Sequence, residues 1–294
     1  MSNAALALTP RHAQRAWRAR PRLMVTGALA FFALVYALPM LVLFGWAFRD
    51  SKGSWTFANF TRLLGDDTYS IVFFTSFRMA AVTTLVCALI GYPYAYLMAT
   101  ADPKARLLLA ASVMIPFWTS VLARSLAWVI LLGRRGVIND WLISAGLIDQ
   151  PFPMLFNSVG VQIGMAHVLL PFMVLPIWSV LAKLDSGLPM AARSLGASPF
   201  RAFAHVVLPL SLPGLAAGTT LVFMFAVGFY ITPALLGGPG DITIATLIDT
   251  VVRDQLDWPF GAMLSLVLIA IVGVIFALGA TVAGTGRIAG LEER

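Results

Sequence analysis

Long uncharged runs separated by short polar ones set the pattern of this chain. Residues 23–48, 154–182, 206–240 and 258–286 contain no Asp, Glu, Lys or Arg, and residues 71–101 and 107–133 contain one each, Arg78 and Arg124. A helix rises 1.5 Å per residue, so about 20 apolar residues cross the roughly 30 Å hydrocarbon layer of a bilayer. Every run is long enough to do so. None alternates apolar and polar residues with the period of two that a barrel strand would need. The pattern predicts an all-α polytopic membrane protein with six transmembrane helices, at about 23–48, 71–101, 107–133, 154–182, 206–235 and 258–286. A basic tail over 1–22 precedes this domain of 23–286, and a short tail over 287–294 follows it.

Composition agrees with the pattern. Of the 294 residues 60% are hydrophobic and 11% charged, against about 25% charged in soluble domains, and the mean hydropathy is +0.87. Arg11, Arg15, Arg18, Arg20 and Arg22 precede the first run as they would in a signal peptide. That run is longer than the usual apolar region of about 7–15 residues, and no small-residue cleavage site follows, so it reads as an uncleaved anchor. The single cysteine, Cys87, lies in an apolar run and offers neither an intrachain disulfide nor a metal-ligand pattern.

Charge adds orientation, because Lys and Arg collect in the short cytoplasmic loops. The N-terminal tail, Lys104 and Arg106, then Lys183, Arg193 and Arg201, then Arg287 and Arg294 place twelve basic residues on one side. Arg49, Lys52, Arg62, Arg134, Arg135 and Arg253 place six on the other. Both termini are expected in the cytoplasm. The net charge of +7 is this bias plus the two intramembrane arginines, and it gives no reason to expect nucleic acid as a partner.

The largest loop on the cytoplasmic side, residues 183–207, has a local structure of its own. Pro189 suits the first turn of a helix, Met190 to Leu195 continue it, and Gly196 can take the left-handed conformation that ends it. Ser198 and Pro199 then form an N-cap and N1 pair for a second helix, with Phe200, Phe203 and Val207 at helical spacing. The spacing predicts helix, sharp turn, helix. Such a hairpin either rests on the lipid surface or docks in a groove of another protein.

This loop resembles the cytoplasmic EAA loop of ABC importer permeases, on Ala191, Ala192, Gly196, Leu208 and Pro209. It departs from the family pattern at Met190, where Glu is usual, and at Ser194, where an acid is often found. The resemblance implies coupling helices that dock on a separate ATPase, carried by Met190, Ala191, Ala192, Arg193, Gly196, Ala197, Ser198, Pro199 and Arg201. It extends to Pro116-Phe-Trp-Thr-Ser-Val-Leu-Ala-Arg-Ser-Leu-Ala-Trp, Gly136-Val-Ile-Asn, Leu169-Leu-Pro-Phe-Met-Val-Leu-Pro, Leu236-Gly-Gly-Pro-Gly-Asp and Trp258-Pro-Phe-Gly-Ala. In this order the segments resemble the spermidine/putrescine permeases. The resemblance implies a type I ABC importer permease fold in the bacterial inner membrane. Its expected partners are a second, paralogous permease, two ATPase subunits and a periplasmic binding protein, besides membrane lipid. No cofactor is expected in the chain itself; ATP and Mg would belong to the ATPase. The implied solute is a polyamine such as putrescine or spermidine. An amino-acid derivative, an opine or an organic anion is the alternative, and an ion-coupled secondary transporter the more distant one.

Several residues are candidates for the translocation path. An intramembrane charge is expensive and usually faces protein or water. Arg124 and Trp128 share a helix face, Trp118 lies six residues before Arg124, and Pro116 can bend the helix just ahead. This cluster is either a gate or, at Arg124, a side chain snorkelling to the outer headgroups. Arg78, near the outer end of its run, reads more readily as snorkelling. His167 reads as a hydrogen-bonded residue of the bundle. In the fifth loop Asp241, Asp249, Asp254 and Asp257 face one base, Arg253, and form a candidate cation-guiding mouth. With no acid inside the spans, Trp118, Trp128 and Tyr230 are the aromatics available to a cation in transit. Gly160 and Gly164, and Gly214 and Gly218, permit close helix approach. No nucleotide-binding loop or nucleophile–base motif occurs, so any motor is a separate polypeptide.

Overall fold

The computed structural model describes residues 25–50 and 52–288. The tail 1–22, with its five arginines, and Arg294 lie outside them. Twelve helices are used below. They are α1 (Val25–Ala47), α2 (Ala58–Gly65), α3 (Asp67–Thr100), α4 (Pro103–Phe117), α5 (Val121–Leu132), α6 (Val137–Ser144), α7 (Ser158–Leu181) and α8 (Gly187–Ser194). Then come α9 (Pro199–Val227), α10 (Ile231–Leu236), α11 (Ile244–Arg253) and α12 (Trp258–Ile288). Among the described residues the only non-helical pairing is one bridge between Arg49 and Trp55. Among the described residues five helices are long and apolar enough to cross a membrane, or six when α4 and the segment after it, which meet at a sharp break, are counted as one span.

That break corrects the single third span expected over 107–133. The chain turns by 97° between α4 and the segment beginning at Val121. Thr119 explains the stop: its backbone N–H and its hydroxyl both donate to the Pro116 carbonyl, at 3.1 and 2.6 Å. Ser120 then takes an extended ψ of 132°, so the hydrogen-bond ladder cannot continue.

The fifth span is also displaced from its expected 206–235. It begins at Pro199, so the second helix of the cytoplasmic hairpin runs directly into the membrane, and it ends at Val227. Gly228 follows its last turn, and the separate helix α10 starts at Ile231 with Pro233 in its first turn. A π-turn at Phe203–Val207 sits two residues ahead of Pro209, and another at Ala33–Ala37 sits two ahead of Pro39. The wider turn relieves the clash between a proline ring and the carbonyl four residues back.

The core centres on α7, which lies against α3 and α9 along most of its length. Glycines set the distances. A Cβ on Gly91 of α3 would meet the Met173 side chain at 2.9 Å, and one on Gly218 of α9 would meet the Met173 sulfur at 2.9 Å and its carbonyl at 3.0 Å. Met173 therefore fills a notch cut in both neighbours. Gly214 lies as close to the Pro176 carbonyl, and Gly164 to Thr232. Both glycine pairs thus serve packing within the chain. Hydrogen bonds join the same helices: Thr83 Oγ1 donates to Gln162 Oε1 at 2.7 Å, and Tyr92 shares a 2.6 Å bond with Ser211.

Helix α3 is about 51 Å long at 1.5 Å per residue, well beyond the layer it crosses. Its first turns, capped by Asp66 accepting from the Thr68 N–H at 2.8 Å, carry the peripheral elements. Tyr69 packs edge-on against Phe260, and Ser76 Oγ accepts from the Ile244 N–H at 2.7 Å. Helix α1, by contrast, touches the bundle mainly at its end, where Ala47 packs with Ala262 and Met263. The rest of its apolar surface, including Leu29, Phe31, Leu34, Tyr36 and Leu41, is uncovered by the chain.

Candidate functional site

The cytoplasmic hairpin is built by a short sequence that ends one helix and begins the next. The Ala197 N–H donates to the Ala192 carbonyl at 3.1 Å, and the Gly196 N–H donates to the Arg193 carbonyl at 2.9 Å. Gly196 has φ +93°. Together these form the paired bonds of a Schellman stop. Ser198 Oγ accepts from the Arg201 N–H at 3.3 Å and Pro199 occupies the first turn of α9, so the second helix starts at once. The turn projects Leu195 (90% exposed), Phe200 (76%) and Met190 (61%) into the open. Ala191, Arg193, Ser198 and Arg201 are exposed around them, and Ala192 and Ala197 are half-buried. Where a family acid would stand, Ser194 donates back to the Met190 carbonyl at 3.1 Å. The base of the hairpin is fastened by Phe203, which packs edge-on against Tyr96 at 5.3 Å and Tyr92 at 6.0 Å. An apolar tip is thus joined rigidly to α3 and continuous with α9.

A second cluster lies on α5 and α7. Ser125 and Thr232 share a buried hydrogen bond of 2.9 Å, and Trp128 Nε1 donates to His167 Nδ1 at 3.0 Å. His167 Nδ1 is therefore an acceptor, and the ring is the neutral tautomer protonated at Nε2. These two ties prevent α5 from rotating. Arg124, just ahead of Ser125, is 9% exposed, with Nε and Nη1 buried and without an acceptor among the described residues. It is close enough to His167 to interact electrostatically. Pro171, one turn below, removes the N–H that would have bonded the His167 carbonyl. Arg124 is thus buried by the chain, whereas Arg78 is exposed.

Other expected members of the path lie elsewhere. Trp118 sits at the break before α5, 80% exposed and packed only on Phe117, away from Trp128. Tyr230 lies past the end of the fifth span and donates to Asp249 Oδ2 at 2.9 Å. That carboxylate pushes the Tyr230 phenol above its ordinary pKa.

The four acids of the expected mouth are held in different ways. Asp241 is buried, accepting from the Ser158 hydroxyl and from the Gly238 N–H at 3.0 Å. Asp249 also pairs with Arg253 at 2.7 Å. Asp257 pairs with Arg62 at 2.8 Å and accepts from the Phe260 N–H at the start of α12. Only Asp254 is exposed without such a bond among the described residues. Three of the four acids have partners within the chain; the i,i+4 spacing of Asp249 and Arg253 is visible in the sequence, whereas Ser158, Arg62 and Tyr230 are distant in it.

The overall arrangement of helices recurs in solved structures. A chain of the bacterial ABC transporter that imports the acidic polysaccharide alginate matches over 94% of this chain and 100% of its own, at TM-score 0.75 and 18% identity. A chain of the MetNI methionine ABC transporter matches over 73% of this chain and 94% of its own, at TM-score 0.56 and 17% identity. The fold is that of ABC importer permeases, and this is a multi-pass membrane protein. No family model matches the chain. In sequence it is 38% identical over 258 residues to the spermidine/putrescine transport system permease protein PotB of Escherichia coli, covering 86% of this chain and 94% of that protein. The Haemophilus influenzae PotB is 36% identical over 259 residues, 85% of this chain and 90% of its own. The inner membrane ABC transporter permease protein YdcU of Escherichia coli is 32% identical over 74% of this chain and 75% of its own. The chain belongs to the family of spermidine/putrescine transport permeases.

Proposed function

We propose that this chain is one of two permease subunits of an ATP-driven importer for a polyamine such as putrescine or spermidine, in the bacterial inner membrane. The observation that carries the reading is the 38% identity to PotB over nearly its full length. The exposed apolar tip of Leu195, Phe200 and Met190 supports a docking role for residues 190–201, since so much apolar surface on a short hairpin favours a protein groove over water. The partner there is an ATPase subunit, which holds the ATP and Mg; a periplasmic binding protein delivers the solute to the opposite side. The excess of basic residues beside the hairpin supports cytoplasmic termini.

Force applied to the hairpin has two routes into the membrane. One runs along α9, which is continuous from Pro199. The other passes from Phe203 to Tyr92 and Tyr96 on α3. Both helices grip α7, so closure of the motor would tilt α3, α7 and α9 as a body. Alternation between outward and inward access follows if the second permease moves oppositely.

The test is solute-stimulated ATPase activity of the whole assembly in lipid, with putrescine, spermidine and an organic anion. Stimulation by a polyamine is expected. Stimulation by the anion alone would remove the polyamine assignment, and an assembly to which no ATPase binds would remove the importer reading.

A further inference from the structure

Two hollows meet where the span α1 ends. The first is an apolar crevice of about 500 Å³ between α1 and α12, lined by Leu38, Val42 and Trp46 on one side and Trp258, Gly261 and Ser265 on the other. The Ser265 hydroxyl already donates to the Gly261 carbonyl at 2.8 Å, so the α12 wall offers hydrocarbon no unsatisfied polar group. From Leu38 to Trp46 the crevice follows α1 for about 12 Å at 1.5 Å per residue, most of the roughly 15 Å depth of one leaflet. The second hollow, of about 830 Å³, is polar and lined by Arg49, Asp50, Asn59, Arg62, Gln255 and Asp257. Trp46 and Trp258 line both hollows. They pack edge-on at 6.2 Å, where the span of α1 ends and that of α12 begins. Tryptophans concentrate at this level, between hydrocarbon and headgroups.

The charges of the polar hollow suit a ligand that bears both signs. Two arginines and two aspartates line it, and Arg62 and Asp257 pair with one another at 2.8 Å. Arg49 has no carboxylate partner among the described residues; its guanidinium lies over the Trp55 ring at 5.2 Å. Asp50 Oδ1 accepts from the Lys52 and Ser54 N–H groups at 2.9 and 2.8 Å, and Oδ2 has no bond among the described residues. By contrast, the groove of about 550 Å³ beside His167, between α3 and α7, has no Asp, Glu, Lys or Arg in its lining to select an occupant. We propose that the paired hollows bind one phospholipid with a zwitterionic headgroup that ends in a primary ammonium. Its phosphate lies on Arg49, its ammonium on Asp50 Oδ2, and one acyl chain between α1 and α12. A guanidinium holds a phosphate by directed, charge-assisted hydrogen bonds. A protein helix laid here would cover the crevice and leave the two charges above it to chance, whereas a phospholipid joins all three features in one molecule. The lipid braces α1, which otherwise touches the bundle mainly at this end, where Ala47 packs with Ala262 and Met263.

The experiment uses the complete assembly in nanodiscs of phosphatidylethanolamine, phosphatidylcholine and phosphatidylglycerol in equal parts. Each lipid in turn is doped with a version that carries a photoreactive diazirine in one acyl chain, and labelled peptides are located by mass spectrometry. The ethanolamine probe is expected to label residues 38–46 and 258–265 about fivefold more than either other probe does. Ser265→Phe fills the crevice and Arg49→Gln removes the phosphate donor. Each should bring that labelling down to the level seen at Leu29 to Tyr36, on the uncovered part of α1, and Arg49→Lys should retain most of it. Asp50→Asn should abolish the preference for ethanolamine while the segments remain labelled.

Labelling that is equal for the three headgroups and unmoved by Arg49→Gln is annular lipid only, and it overturns the proposal. Absence of labelling at both segments overturns it as well, because another subunit then fills the crevice. A preference for the glycerol headgroup overturns the contact between an ammonium and Asp50. Arg49 is exposed, so its variants test the site even if Ser265→Phe does not assemble. None of these readouts depends on which solute the assembly carries.

Discussion

Gly196 is the residue on which the cytoplasmic hairpin depends. Its φ of +93° costs an L-residue about 1–2 kcal/mol, while a Cβ there would meet nothing within 4 Å. The penalty of Gly196→Ala is therefore backbone strain without a clash. The expected outcome is an intact subunit with several-fold weaker ATPase stimulation, measured on assemblies matched for expression; unchanged stimulation would show that the turn is not needed for docking. Asp66 shows the opposite kind of dependence, on charge. The Thr68 hydroxyl and N–H hold its carboxyl below the ordinary value of 3.8. A depressed pKa stabilises the cap above that value, and the contribution is lost as the pH falls through the depressed one. Protection of the Thr68 amide from hydrogen exchange should persist at pH 5 and fall only below about pH 4, and the change should vanish in Asp66→Asn.

Among the elements, the pairing of α7 with α9 is set by what is missing. A Cβ on Gly214 would come within 2.9 Å of the Pro176 carbonyl, a backbone atom that cannot swing aside. Gly214→Val should lower the thermal midpoint of the purified subunit by several degrees, as overpacking costs about 1–3 kcal/mol. Gly27→Val, on the uncovered face of α1, should leave it unchanged. The hairpin and α3 are linked by one ring. Phe203→Ala removes the contacts to Tyr92 and Tyr96, and the expected result is retained ATPase binding with reduced solute stimulation. Loss of binding instead would mean that Phe203 supports the shape of the hairpin and not the transmission of its movement.

At the scale of the whole molecule, α1 and the groove beside His167 leave apolar surface that one copy of the chain does not cover. In a membrane protein such surface faces lipid or another subunit. Reporter fusions provide the topological check. Both termini should score as cytoplasmic, and residues 50–56 and 146–150 as external; a terminus on the outer side would reverse the assignment of the hairpin to the motor.

The membrane class, the number of spans and the hairpin were legible in the sequence because each depends on local chemistry. Uncharged length sets a span, and Gly196, Ser198 and Pro199 set a turn within a few residues of themselves. The break at Thr119, the early end of the fifth span at Gly228 and the burial of Asp241 were not legible. Each turns on a hydrogen bond or a packing partner whose competition with a continuing helix or an exposed acid has no signature in hydropathy. Charge could be counted along the chain, but that Arg78 is exposed and Arg124 buried was decided only when α3, α5 and α7 were brought together.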